Sequence, residues 1–136
     1  MVLIEFTTSF AQRLEALREQ AARGDQLAKR QLAHAVALLK ALRDLAGKPD
    51  EESATFKQVR QARRHELWRV AHPYQADVAF RLIVWFPPGG TVVVTVFSFD
   101  KAKLGDVWYD RAAVEGQSEV DRWLREHPKG SDDGRH

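Results

Sequence analysis

The sequence predicts an α+β fold: an N-terminal strand, a helical hairpin, a mostly antiparallel sheet of about four strands, and a C-terminal helix. Three observations carry that expectation. From residue 10 to residue 46 apolar side chains recur at every third or fourth position, which is the period of one helix face. From residue 80 to residue 99 they alternate or run together around a Pro87-Pro88-Gly89-Gly90 turn, as the strands of a hairpin do. Past residue 105 a helical pattern returns, and Pro128 ends it.

Residues 2–6 are β-branched, apolar or aromatic apart from Glu5 and read as a short strand that stops at Thr7-Thr8-Ser9. Ser9 and Gln12 form an S-x-x-Q pattern, a candidate capping box for the first helix. Phe10, Leu14, Leu17 and Ala21 make its apolar face. Gly24 interrupts, and Asp25 is placed to cap a second helix. There Ala28, Leu32, Ala35, Leu39, Leu42 and Ala46 form the stripe, Leu38 and Leu45 widen it, and Gly47 and Pro49 stop it. Residues 47–56 read as a loop. Strands are predicted over 67–74, 80–86 and 91–99. In the second, Phe80, Leu82, Val84 and Phe86 share one face and Arg81, Ile83 and Trp85 the other. The nearly continuous apolar run at 92–96 suits an interior strand. Helix is expected over 106–114 and 118–126, with Gly116 as a weak point between, and 129–136 reads as a disordered tail to a single domain spanning 1–128. The predicted core is Phe6, Phe10, Leu14, Leu17, Leu32, Leu39, Leu42, Leu82, Val84, Val94 and Val96.

Composition narrows the chemistry. The 136 residues are 44% hydrophobic and 29% charged, which suits a globular chain rather than a disordered one. Cysteine is absent, so disulfides, thiol catalysis and cysteine–zinc sites are excluded. The net charge is only +2, so any polyanion binding must come from local clustering of cations. Residues 57–69 supply such a cluster: Lys57, Arg60, Arg63, Arg64 and Arg69 against one acid, Glu66. No apolar run approaches the roughly 20 residues of a membrane span, and the N-terminus lacks the pattern of a secretory signal. The expectation is a cytoplasmic protein with no membrane contact.

Common catalytic signatures are missing. Pro88-Gly89-Gly90 is a hairpin turn rather than a phosphate-binding loop. His34, His65, His72, His127 and His136 are scattered, with no metal-ligand spacing. Asp106 and Asp110, four apart, are either metal ligands or, in the plainer reading, a helix cap and a solvated carboxylate. No cofactor or metal is expected. The cations within strands are more informative. Arg81 sits in an otherwise apolar strand and Arg69 between Trp68 and Val70. Each is a candidate site residue, or else a solvated outer-face arginine or a partner of Glu66 or Asp100.

The segment Phe80-Arg81-Leu82-Ile83-Val84-Trp85-Phe86, its turn, Thr91-Val92-Val93-Val94-Thr95-Val96-Phe97, the exit Asp100-Lys101-Ala102-Lys103 and Val107-Trp108-Tyr109 resemble the C-terminal half of RelE/ParE-superfamily toxins. Leu67-Trp68-Arg69-Val70 matches the preceding strand, and the order of elements fits over roughly residues 2–115. The resemblance implies a toxin of a bacterial type II toxin–antitoxin system, neutralised by a cognate antitoxin. Its activity would be metal-independent, ribosome-dependent cleavage of mRNA; the alternatives are inhibition of DNA gyrase, or a non-catalytic, phage-derived binding protein of the same fold. By the same resemblance Arg81 contacts the scissile phosphate, Lys101 and Lys103 form the basic exit, and the family's tyrosine falls on Trp108 or Tyr109.

RNA brings its own nucleophile, the 2′-hydroxyl, so an enzyme of this kind needs cations for the phosphorane charge and a group to move protons. Arg81, Lys101, Lys103 and Tyr109 are the candidates, Tyr109 being preferred to Trp108 because indole has no useful acid–base pKa. His72 is a weaker candidate base. Arg69, Lys57, Arg60, Arg63 and Arg64 would bind the RNA backbone. Trp85 either stacks on a base or packs beneath the last helix.

Overall fold

The computed structural model describes residues 3–71, 81–88, 91–98 and 105–127, with 91–98 and 105–109 described through their backbone. The elements are β1 (Leu3–Phe6), α1 (Thr8–Ala22), α2 (Gln26–Arg43), β2 (Phe56–Gln58), β3 (Leu67–Val70), β4 (Arg81–Trp85), β5 (Thr91–Ser98) and α3 (Gly105–Glu126). The strands form one sheet in the order β1-β5-β4-β3-β2. Neighbours from β5 to β2 are antiparallel, whereas β1 runs parallel to β5 with Leu3 opposite Thr91. A parallel neighbour needs a crossover, and the path from β1 through the helical hairpin supplies it.

Local chemistry fixes the hairpin. Thr7 caps α1, its Oγ1 accepting from Phe10 N at 3.1 Å. That displaces the capping box expected at Ser9 and Gln12, because the helix starts one residue before Ser9. Gly24 takes φ +98° after the C-cap Arg23 and donates its amide to Ala21 O, a conformation open to glycine at little cost. Asp25 caps α2 as expected, accepting from Ala28 N at 3.0 Å. Lys40 and Arg43 in its last turn complement the negative end of the helix.

The sheet is covered on both faces. On one, Phe10 and Leu14 of α1 and Ala35, Leu38 and Leu42 of α2 pack on Trp68, Val70, Leu82 and Val84. On the other, Ala112, Ala113 and Val120 of α3 pack on Val59, Leu67 and Ile83. The strand alternation therefore falls as predicted: Leu82, Val84 and Phe86 go to the hairpin side, Ile83 and Trp85 to the α3 side.

Several expectations are corrected. The sheet has five strands, because Phe56–Gln58, at the end of the expected loop, forms a short edge strand on β3. The strand expected over 67–74 is β3, Leu67–Val70, and 72–80 lies outside the described residues. Gly116 does not break α3; it is buried within one continuous helix. In the core Leu38 is fully buried, Leu39 and Leu32 lie at its margin, and Phe6 is 40% exposed at the sheet edge. The side chains of Val94 and Val96 and the tail 129–136 lie outside the described residues.

Candidate nucleic-acid interface

The strand register brings three of the predicted cations onto one sheet face. Lys57 lies directly across from Arg69, and Arg69 directly across from Ile83. Arg81 precedes Ile83 by two residues, so it shares that face and stands diagonal to Arg69. This is the face on which α3 packs. The helix covers the Leu67–Ile83–Trp85 end. At the other end Lys57 is exposed, and Arg69 and Arg81 are half-buried with their Nε atoms beneath the surface. The Arg69 guanidinium reaches the surface and donates to Ala54 O at 2.9 Å.

α3 lies on this face: Trp123 meets Trp85, with ring centroids 6.0 Å apart, and Ala112 and Ala113 join the apolar cluster of Val59, Leu67 and Ile83. β5 ends at the Arg81 end of β4, since Ser98 is the register partner of Arg81. The backbone thus places the exit of β5 beside Arg81. Lys101, Lys103 and His72 lie outside the described residues, as do the side chains of Asp106, Trp108 and Tyr109. Asp110 is exposed.

Around the β2 edge the basic run lines two clefts. One, of about 430 Å³, is formed by Glu52, Lys57, Gln58, Arg60, Gln61 and Arg69. The other, of about 450 Å³, includes Arg60, Arg63, Arg64 and Glu66. Two of these arginines are held by acids the sequence reading did not single out. Arg60 Nη2 bonds Glu52 Oε1 at 2.8 Å. Arg64 bonds Asp121 of α3, whose other oxygen meets His65 Nε2 at 2.8 Å. The hydrogen bond from His65, and then those from Arg64, hold the Asp121 carboxyl below its ordinary value against the opposing effect of burial. Gln117 secures the same junction: its Oε1 accepts from Arg64 N at 2.6 Å and its amide donates to Ala113 O.

The Trp85 ring is held edge-on between His65 and Trp123, and Trp123 stacks on His127 at 4.2 Å. These contacts fit the packing reading of Trp85, whose side chain is half-buried rather than enclosed. The Glu52 and Asp121 contacts leave no periodic trace in the sequence. Compared with protein-family models, curated proteins and solved structures, the chain matches none. Among the described residues no helix is long and apolar enough to cross a membrane, and no group of three or more His, Cys, Asp or Glu is placed to hold a metal ion.

Proposed function

We propose that this protein is the toxin of a type II toxin–antitoxin system, with a RelE/ParE-like activity: cleavage of mRNA on the ribosome. One observation carries the reading. Arg81, Arg69 and Lys57 share a single sheet face, and Arg81 stands at the end where β5 exits. A strand arginine with a buried Nε and a fixed charge suits recognition of a phosphate rather than general solvation.

In this proposal the substrate 2′-oxygen attacks phosphorus and the bond to the 5′-oxygen breaks. Arg81 grips the scissile phosphate through its planar fork, and Arg69 and Lys57 hold the adjoining backbone. Lys101 and Lys103 neutralise the phosphorane, and Tyr109 transfers the proton. The antitoxin is the expected partner, with the ribosome and mRNA as the target.

The test is cleavage of mRNA on translating ribosomes. Arg81→Ala is expected to lose at least about 10² in rate, the scale of removing one charge-stabilising donor, with its melting temperature kept. Arg81→Lys should recover only part, since an ammonium lacks the fork. A lowered melting temperature with unchanged activity per folded molecule would make Arg81 a structural residue. Blocked DNA supercoiling without RNA cleavage would reassign the target to gyrase. No growth arrest in cells lacking an antitoxin would remove the toxin reading.

A further inference from the structure

The edge of the sheet at β2 holds a carboxylate in a place built for an anion. β2 is the last strand of the sheet, and the amides of Phe56 and Gln58 face away from β3; the alternating residues take the inward bonds, among them Ala71 N to Thr55 O and Val59 N to Leu67 O. Phe56 N donates to Ser53 Oγ, and Gln58 N donates to Glu52 Oε2 at 2.9 Å. The other oxygen of Glu52 takes Arg60 Nη2 at 2.8 Å. One carboxylate thus bridges a backbone amide and a guanidinium. Those are the two donor types that most often grip the non-bridging oxygens of a nucleic-acid phosphate. Glu52 is also the one acid among the six residues lining this cleft, where Lys57 and Arg69 add two further cations.

We propose that the Lys57–Arg60–Arg69 cleft is a phosphodiester subsite for single-stranded RNA, and that Glu52 occupies it as a built-in competitor. The RNA assignment rests on the function proposed above; the occupation by Glu52 is the new element. The Glu52–Arg60 pair is largely exposed, with side chains 34% and 72% accessible, so it is weak and readily exchanged. A strand bound at Arg81 and running across Arg69 toward Lys57 would reach the edge and displace Glu52 from Gln58 N and Arg60. A strand too short to reach it would leave the carboxylate in place. The device would therefore favour long, extended substrates over short fragments.

The experiment titrates the full chain against a fluorescent oligouridylate long enough to run from Arg81 across Arg69 to Lys57, read by anisotropy at two salt concentrations. Glu52→Gln keeps an acceptor for Gln58 N and removes only the charge. It is expected to tighten binding roughly fivefold, the scale of one solvent-exposed unit charge at contact distance, and to steepen the salt dependence by about 0.7 in the log–log slope as one more phosphate contact forms. Glu51→Gln makes the same charge change on a neighbouring exposed residue and is expected to shift affinity less than about twofold. The gain should vanish when Glu52→Gln is combined with Arg60→Ala. Unchanged or weaker binding by E52Q, no binding by it at all, or an equal gain from E51Q each overturns the proposal. An oligoglutamate peptide binding E52Q more tightly than the oligouridylate does would overturn the nucleic-acid assignment. Because binding is read without cleavage, a failure of ribosome-dependent cleavage is scored separately and leaves the Glu52 result standing.

Discussion

Asp121 joins the β2–β3 connection to α3 through one carboxylate, pairing with His65 on one oxygen and Arg64 on the other. Those bonds favour the ionised form, so its folded-state pKa lies below the ordinary 3.8. The sign follows directly. Stability from this carboxylate is complete above the unfolded value and is lost as pH falls through the lower folded value. Asp121→Asn should therefore lower the melting temperature at neutral pH, and the gap from the unsubstituted protein should narrow as the buffer is taken below 3.8. Thermal melts across that range check it, and a gap that stays constant would show that the charge of Asp121 is not what the junction uses. A second residue-scale contrast lies in α2. Leu38 is fully buried among Phe10, Trp68 and Leu82, whereas its neighbour Leu39 sits at the margin of the same cluster. Leu38→Ala should cost about 3 kcal/mol, within the range of buried leucine truncations, and Leu39→Ala less than half of that, both read from urea unfolding.

At the scale of elements, legibility followed periodicity. Both hairpin helices and the β4–β5 pair could be read because their burial repeats over several turns or alternations. The strand β2 could not, since three residues on a sheet edge carry too little alternation to separate from a turn, and its Lys57 and Gln58 are exposed. The parallel pairing of β1 with β5 joins strands far apart in the sequence, and neither strand's own pattern announces it. Gly116 looked like a helix break, yet burial on both sides of it, at Ala112, Ala113, Gln117 and Val120, outweighs its propensity cost of about 1 kcal/mol. Within the candidate site, Arg81 and Arg69 stood out because a cation amid apolar strand residues is unusual, and Lys57 joined them once the register was known. Glu52 and Asp121 were invisible for a physical reason: each pairs with residues that only the folded edge and the packed α3 bring near.

For the whole molecule, one sheet separates two cores that differ in make-up among the described residues. The hairpin side buries Phe10, Leu14, Leu38 and Leu42 of α1 and α2 on Trp68, Val70, Leu82 and Val84. Among the described residues the α3 side sets Ala112, Ala113 and Val120 against Val59, Leu67 and Ile83, with the buried Trp123 on Trp85 and the polar His65–Asp121 junction beside them. Alanine brings far less apolar area than leucine or phenylalanine, so at roughly 25 cal/mol per Å² the α3 interface contributes less. Closing it also rests on the Arg64–Asp121 pair, which is exposed and so weak. We expect α3 to open as a unit before the sheet and hairpin unfold. In native-state hydrogen exchange, amides in the middle of α3, around Gln117 to Val120, should exchange through an opening at least about 1 kcal/mol smaller than that of the β4 amides at Leu82 and Val84, a separation typical of sub-global units. Trp123→Ala should lower the α3 opening energy further and leave the β4 value nearly unchanged. Equal protection in α3 and β4 would mean that the two cores are one cooperative unit. The outcome bears on the proposed function, because the same helix covers the sheet face that carries Arg69 and Arg81.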